Sequence, residues 1–367
     1  MSMPDDLFAE AQRQLNICNS CRYCEGYCAV FPALERRTML EVGDITQLAN
    51  LCHDCRACFH ACMYAPPHEF AVDPPTILTA VRLASYRHYL PPAGWPRPGW
   101  WPGRNARATA AAAVVVALLA LVAATEGIGA LWRHGRPYQV IPYPALLVTV
   151  LLPTVWSAAV MARALAAYWH DVHGPLRDLA DGPALATAVI SAARLQNLRG
   201  GGAECPYPGD DPSPARRRLH GAVAGGFMLC FAATLAAAFL QDILGVSPPY
   251  PLLSAPVILG TAGGISMLAG CAGLIALKRR SDPEPGVADY GLLLGLGLLA
   301  LTGLLTLLLR STPAFGLILV THLATIVVCF LLAPYTRVVH AGYRFLAILA
   351  DNMERERERP APVREAR

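Results

Sequence analysis

Eight of the twelve cysteines in the chain lie between Cys18 and Cys62. They form two runs of identical spacing, Cys18-x2-Cys21-x2-Cys24-x3-Cys28 and Cys52-x2-Cys55-x2-Cys58-x3-Cys62. This is the spacing with which thiolates hold [4Fe–4S] clusters. Each cubane needs four thiolates. Three close cysteines can wrap one cluster, and the fourth must come from elsewhere. Where two such runs cooperate, the fourth cysteine of each ligates the other cluster. The expected sets are therefore Cys18, Cys21, Cys24 and Cys62 for one cluster, and Cys52, Cys55, Cys58 and Cys28 for the other. Zinc is the competing reading, but it prefers paired C-x2-C units separated by longer gaps. The usual Pro after the fourth cysteine is absent; Ala29 and Met63 stand there instead. His53, His60 and His68 lie among the cysteines, and both thiolate sets are complete without them. They read as surface or supporting residues.

The elements that position these thiols come next. Residues 1–16 are acidic and then amphipathic, unlike the basic and then apolar pattern of a secretory signal. The cysteines are therefore expected in the reducing cytosol, where clustered thiols serve metal or redox chemistry more often than disulfides. Residues 5–16 and 36–51 carry helical patterns, which points to a mostly α-helical two-cluster module over residues 1–90. Residues 91–105 form a linker rich in Pro and Trp. Trp95, Trp100 and Trp101 suit a membrane interface, where an amphipathic ring keeps one edge wet.

Composition sets the class of the remainder. Of 367 residues, 54% are apolar and only 15% charged, with a mean hydropathy of +0.39. Soluble domains carry about 25% charged residues, so a purely cytosolic globular protein is excluded. The net charge of +4 gives no argument for nucleic acid. Long apolar runs fall at about 107–127, 144–168, 220–243, 252–277, 287–309 and 315–340. Each is near the ~20 residues needed to cross a ~30 Å hydrocarbon core. With the N-terminus inside, 27 of the 30 Lys and Arg fall on inner segments, leaving only Arg133, Arg136 and Arg310 outside. The positive-inside bias thus predicts six spans with both termini cytoplasmic. The expected fold is an all-α membrane protein, with an α-helical ferredoxin-like module ahead of a six-helix cytochrome b-like domain over 106–350. The charged stretch 351–367 reads as a cytoplasmic tail, the solvated end of the last helix.

Histidines inside apolar spans form a second constellation, because ionisable groups in a bilayer are expensive and mark function. His322 and His340 are 18 residues apart. On one continuous helix that is five turns, so both would share a face about 27 Å apart, suited to haem ligation at each membrane face. His220 opens the third span behind Arg216, Arg217 and Arg218, level with His340, and is the expected axial partner of an inner haem b. His322 has a less obvious partner: His134 lies on the outer side, whereas His170 and His173 are at the inner end of span two. One or two haems b are expected.

The same stretches carry a resemblance. The doubled cysteine module, the Trp/Pro linker and six spans combine with GGGAECPYP (200–208), RRRLHGAVAGGFMLCFAATLAA (216–237) and THLATIVVCFLLAPYTRVVH (321–340). Together they resemble the tricarballylate utilization protein B family, also called citrate utilization protein B, along nearly the whole chain. The last stretch is also similar to the cytochrome b subunit of respiratory nitrate reductases. The resemblance implies an electron carrier of the cytoplasmic (inner) membrane that works with an FAD-dependent, tricarballylate-type dehydrogenase. It implies transfer through two [4Fe–4S] clusters and haem b to membrane quinone, with Cys18 to Cys62 as cluster ligands and His220, His322 and His340 on haem. Span three of that family usually ends in a histidine near position 241; here the residue is Gln241. Some relatives serve a flavoprotein of cobalamin synthesis, so that electron module is an alternative.

Other features carry less. Cys205 follows a Gly run and has no assigned role; Cys230, Cys271 and Cys329 read as small packing residues within spans. The glycines of 260–273 permit close helix contact. There is no strand–GxGxxG–helix unit and no P-loop, and no nucleophile–base set. Substrate chemistry is therefore expected in a partner rather than in a catalytic site of this chain. Two other classes remain: a membrane iron–sulfur redox sensor, and a disulfide-type reductase using Cys205.

Overall fold

The computed structural model describes residues 4–90, 104–198, 205–206, 212–281 and 290–358. Its helices in chain order are α1 Asp5–Cys21, α2 Val30–Glu35, α3 Val42–Leu51, α4 Ala57–His60, α5 Pro74–Tyr89, α6 Arg104–Thr125 and α7 Tyr143–Val172. They continue with α8 Gly182–Ala193, α9 Ala215–Ala238, α10 Ala255–Ser281, α11 Gly291–Leu308, α12 Phe315–Leu332 and α13 His340–Glu358. Cys205–Pro206 pairs antiparallel with Pro212–Ser213 in a minimal ladder. The fold is all-helical in every other respect. Most of the 91–105 linker, including Trp95, Trp100 and Trp101, and most of GGGAECPYP lie outside the described residues.

Two compact units emerge, and they do not follow the linear division expected at the linker. The first comprises residues 1–97, 160–214 and 339–367; the second comprises 98–159 and 215–338. The cysteine module is thus completed by segments the sequence reading had assigned to the membrane domain and to the tail.

In the first unit, local chemistry sets the helix ends. Asp5 and Asp6 lie in the first turn of α1, where carboxylates offset the helix dipole. The Asp44 side chain accepts from the Glu41 N–H at 3.0 Å, one half of a capping box on α3. Asp73 accepts from the Thr76 N–H at 3.1 Å, and Pro74 and Pro75 occupy the first turn of α5, where a missing N–H costs nothing. Residues 36–41 are not helical, so the expected 36–51 helix is only α3. Leu15, Leu34, Ile45, Leu48, Leu51 and Leu78 are fully buried between these helices.

The charged C-terminal stretch is not simply a solvated tail. Through Glu358 it belongs to α13, whose Tyr343, Leu346, Leu349 and Met353 are buried. The reason lies in its carboxylates. Arg36 is bound to Asp351, and Arg37 donates to Glu354 at 2.9 Å and to Asp44 at 2.7 Å. Tyr86, Tyr168 and Tyr343 pack together nearer the start of α13, with ring centroids 4.7 Å (Tyr86–Tyr343) and 4.9 Å (Tyr168–Tyr343) apart. The charges that looked like solubilising surface therefore dock the helix.

In the second unit, glycines set the helix spacing. A Cβ on Gly226 would lie 2.6 Å from the Met267 N and 2.7 Å from the Gly263 O. Helices α9 and α10 are in backbone contact there, the use of small residues expected in a membrane. Among the described residues six helices are long and apolar enough to cross a bilayer: Ala108–Thr125, Tyr143–Val172, Ala215–Ile243, Ala255–Arg280, Gly291–Leu308 and Phe315–Tyr335. The protein is a multi-pass membrane protein by that measure.

One geometric expectation fails. His322 and His340 do not share a helix. Helix α12 ends at Leu332, Thr336 is extended at φ −126° and ψ 177°, and α13 begins at His340 itself. Pro334 is the cause, since its ring has no N–H to donate and clashes with the carbonyl four residues back. The five-turn argument therefore gives neither a common face nor a separation.

Removing Asp351 leaves the part-buried Arg36 with only Glu354 at 3.3 Å and Glu358 at 3.8 Å, at a cost of about 1–3 kcal/mol. Asp351→Ala is expected to lower the thermal unfolding midpoint of the detergent-purified chain and to speed proteolysis of α13. The volume-matched double change Arg36→Met with Asp351→Leu should recover most of the loss.

Candidate metal centre

Helix α1 delivers Cys18 and Cys21 from its last turn. It is stopped by Arg22 in the left-handed region at φ 54°, whose N–H reaches back to the Cys18 O at 2.9 Å. The chain then turns, and Cys24 comes back toward the same point. Cys62, 38 residues further on, closes the group behind α4. Cys18, Cys21, Cys24 and Cys62 line one hollow, walled by Ile17, Phe31 and Val72 and rimmed by Tyr23 and Met63. Cys21 is exposed at its edge.

The second run is wound more tightly. Helix α3 ends at Cys52, with Asp54 at φ 52° and Arg56 at φ 60°. Two left-handed non-glycine residues within five positions bend the backbone around a centre, as a run of ligands must. Cys58 sits in α4. The thiols that Cys28 feels electrostatically are Cys52 and Cys55, and those around Cys58 are chiefly Cys52, Cys28 and Cys55. Cys18 instead feels Cys62, Cys24 and Cys21. The fold thus gathers the eight thiols as three plus one in each set, with the fourth member exchanged between runs.

Burial, followed by the neighbouring thiols, pushes Cys18 up to about 12 and Cys24 up to about 11. Cys28, Cys52 and Cys58 are raised as well, again mainly by burial. Thiols whose pKa is raised in this way keep their protons when bare and give them up to a metal. Among the described residues no three His, Cys, Asp or Glu side chains converge on a single-ion site. The donor set of four thiols per group, spread around a hollow, fits a polynuclear cluster better than one zinc ion.

Backbone donors point at the second set. The Asp54 N–H lies 3.4 Å from the Cys52 Sγ, and the amides of Val30 and Phe31 act on Cys28. Two arginines meet on the Cys52 carbonyl: Arg82 Nη1 at 2.6 Å, and Arg344 Nη2. Arg344 Nε also donates to the Asn50 O at 3.3 Å. Neither arginine was singled out from the sequence. Arg344 lies 282 residues beyond Cys62 and only the fold brings it back.

The histidines among the cysteines stand apart from the hollow of the first set. His60 packs edge-on to Phe59, and His68 Nδ1 accepts from the Phe70 N–H at 3.1 Å. The candidate haem ligands are separated differently. His220 is in α9 and His322 in α12, both of the second unit, whereas His340 opens α13 in the first. His322 faces α11, with its Nδ1 3.0 Å from the Thr302 Oγ1. That hydroxyl also donates to the Leu298 O at 2.8 Å. With its one proton committed, it accepts from His322, which places the imidazole proton on Nδ1 and leaves Nε2 as a lone pair. Gly303 makes room: a Cβ there would sit 3.0 Å from the His322 Cε1. An imidazole oriented by a hydroxyl in this way fits an axial-ligand role. His134 and His170 are exposed, and His173 lies on Trp169 with its Nε2 3.8 Å from Asp178. Gln241 stands in a π-turn, accepting from the Tyr138 hydroxyl at 3.2 Å.

Comparison with known proteins adds family evidence. Residues 11–88 match the model described as the citrate utilization protein B Fer4-like domain, and residues 106–361 match citrate utilization protein B. Citrate utilization protein B of Escherichia coli is 38% identical over 370 residues, covering 97% of this chain and 94% of that protein. No solved structure matches.

The exchanged fourth cysteine has a direct test. Cys62→Ala should reduce bound iron and acid-labile sulfide by about half. Adding Cys18→Ala to it should cost little more, whereas adding Cys52→Ala should abolish the remainder. The reverse pattern would show that each run completes its own set.

Proposed function

The chain belongs to the citrate utilization protein B family, and on that premise we propose that it is an iron–sulfur electron carrier in citrate or tricarballylate utilization. Its donor is a partner FAD-dependent dehydrogenase of the tricarballylate-oxidising type, and its acceptor is quinone in the bilayer. The observation that carries this reading is the gathering of eight thiols into two sets of four. Cys18, Cys21, Cys24 and Cys62 hold one [4Fe–4S] cluster; Cys28, Cys52, Cys55 and Cys58 hold the other. When bound, these clusters and a b-type haem supply one-electron transfer and no substrate chemistry.

The residues of the chain do the rest. The first set lies beside exposed Tyr23 and Met63, which are 59% and 62% accessible. An apolar rim around an exposed thiol suits the docking of a flavoprotein edge. In the second set Cys52 is buried and the other three thiols are half-buried, so none is as open to water as Cys21. His322, with its tautomer set by Thr302, is a candidate axial ligand within the bundle, and His220 and His340 are the others. His220 and His322 lie on apolar helices of the second unit, which supports a ligand role within the bilayer, where quinone dissolves; His340 opens α13 in the first unit. The charge asymmetry of the loops supports a cytoplasmic-membrane orientation with both termini inside.

Detergent-solubilised native membranes provide the test. A b-type α-band should appear on addition of reduced partner flavoprotein and vanish on addition of a quinone analogue. Its absence, with iron and sulfide present, would remove the haem from this scheme. His340→Ala should lower haem content while leaving iron and sulfide at the wild-type level.

A further inference from the structure

The two thiol sets differ in what surrounds them. The first has an exposed member, and its buried thiols feel other thiols rather than arginines. The second has no exposed member, and two guanidinium groups converge on the carbonyl of its buried Cys52. Arg344 is half-buried, and an acidic group near it is Asp54, which lies 3.8 Å from Arg56. Backbone amides also point at Cys28 and Cys52. A reduced cluster carries one more negative charge than an oxidised one. Nearby cations and N–H donors therefore stabilise the reduced form and raise the potential. Burial acts in the opposite sense, because it disfavours the extra charge. Yet the same low dielectric strengthens the attraction to a guanidinium in proportion, and here two are in place, with Asp54 beside them.

We propose that Arg82 and Arg344 make the cluster on Cys28, Cys52, Cys55 and Cys58 the higher-potential member of the pair, so that electrons enter at the exposed set and leave from this one. The inference rests on the two-cluster reading above. The step is the transfer of one electron from the first cluster, which is oxidised, to the second, which is reduced, with no bond made or broken. A reduced flavin supplies the electron.

Redox titration of the full-length chain in detergent, followed by electron paramagnetic resonance, should resolve two cluster potentials. In Arg344→Gln and in Arg82→Gln the higher should fall while the lower holds. The expected fall is about tenfold in the electron partition, or about 59 mV for a one-electron couple. Arg344→Lys, which keeps the charge, should shift it less. If Arg344→Gln loses iron, Arg82→Gln decides alone. An intact pair of clusters with neither potential moved, or with only the lower one moved, overturns the proposal. A wild-type chain without iron and sulfide would instead overturn the two-cluster reading on which it stands.

Discussion

Neither cysteine run is closed upon itself, and that constraint organises the first unit. Cys28 must reach the second run and Cys62 the first. The chain between them therefore has to fold back as α2, α3 and α4 before either set exists. The left-handed residues at Arg22, Asp54 and Arg56 are the local cost of this interlock. Each bends the backbone where a straight helix would carry a thiol away from its partners. A cluster bound across the interlock would tie residues 18–62 into one body, in addition to the packing of Leu34, Ile45, Leu48 and Leu51 within it.

Charge pairing extends the same body to the far end of the chain. Arg36 and Arg37 follow α2 and receive Asp351 and Glu354 from α13, while Arg344 of that helix reaches the Cys52 carbonyl. Buried ion pairs of this kind add little net stability compared with apolar packing, but they are expensive to break and specific in register. They dock α13 in one position, and with it the arginine beside the second thiol set. Docking and electrostatic tuning are thus properties of one helix.

The apolar unit obeys different rules. Its helices have no polar surface to hide, so contact depends on small residues and on hydrogen bonds made inside the bundle. Gly226 against Gly263, and Thr302 against His322 over Gly303, are the two uses. In the second, a glycine gives the ring space and a threonine gives it a tautomer. The imidazole that looked anomalous among apolar residues is held there by polar contacts of its own.

Much of this was legible in the amino-acid order. Cysteine spacing, apolar run length and loop charge are local or additive quantities, and they determined the thiol sets to expect, the number of spans and the helical class. What lay beyond them was long-range. The expected helix joining His322 to His340 is broken at Pro334 and the extended Thr336, which a count of turns does not register. The C-terminal charges read as a solvated tail because Arg36 and Arg37 lie more than 300 residues away. Nothing in a local pattern distinguishes a carboxylate that meets water from one that meets a buried guanidinium. Which charges face each other depends on how the chain returns upon itself, and only the tertiary structure decides that.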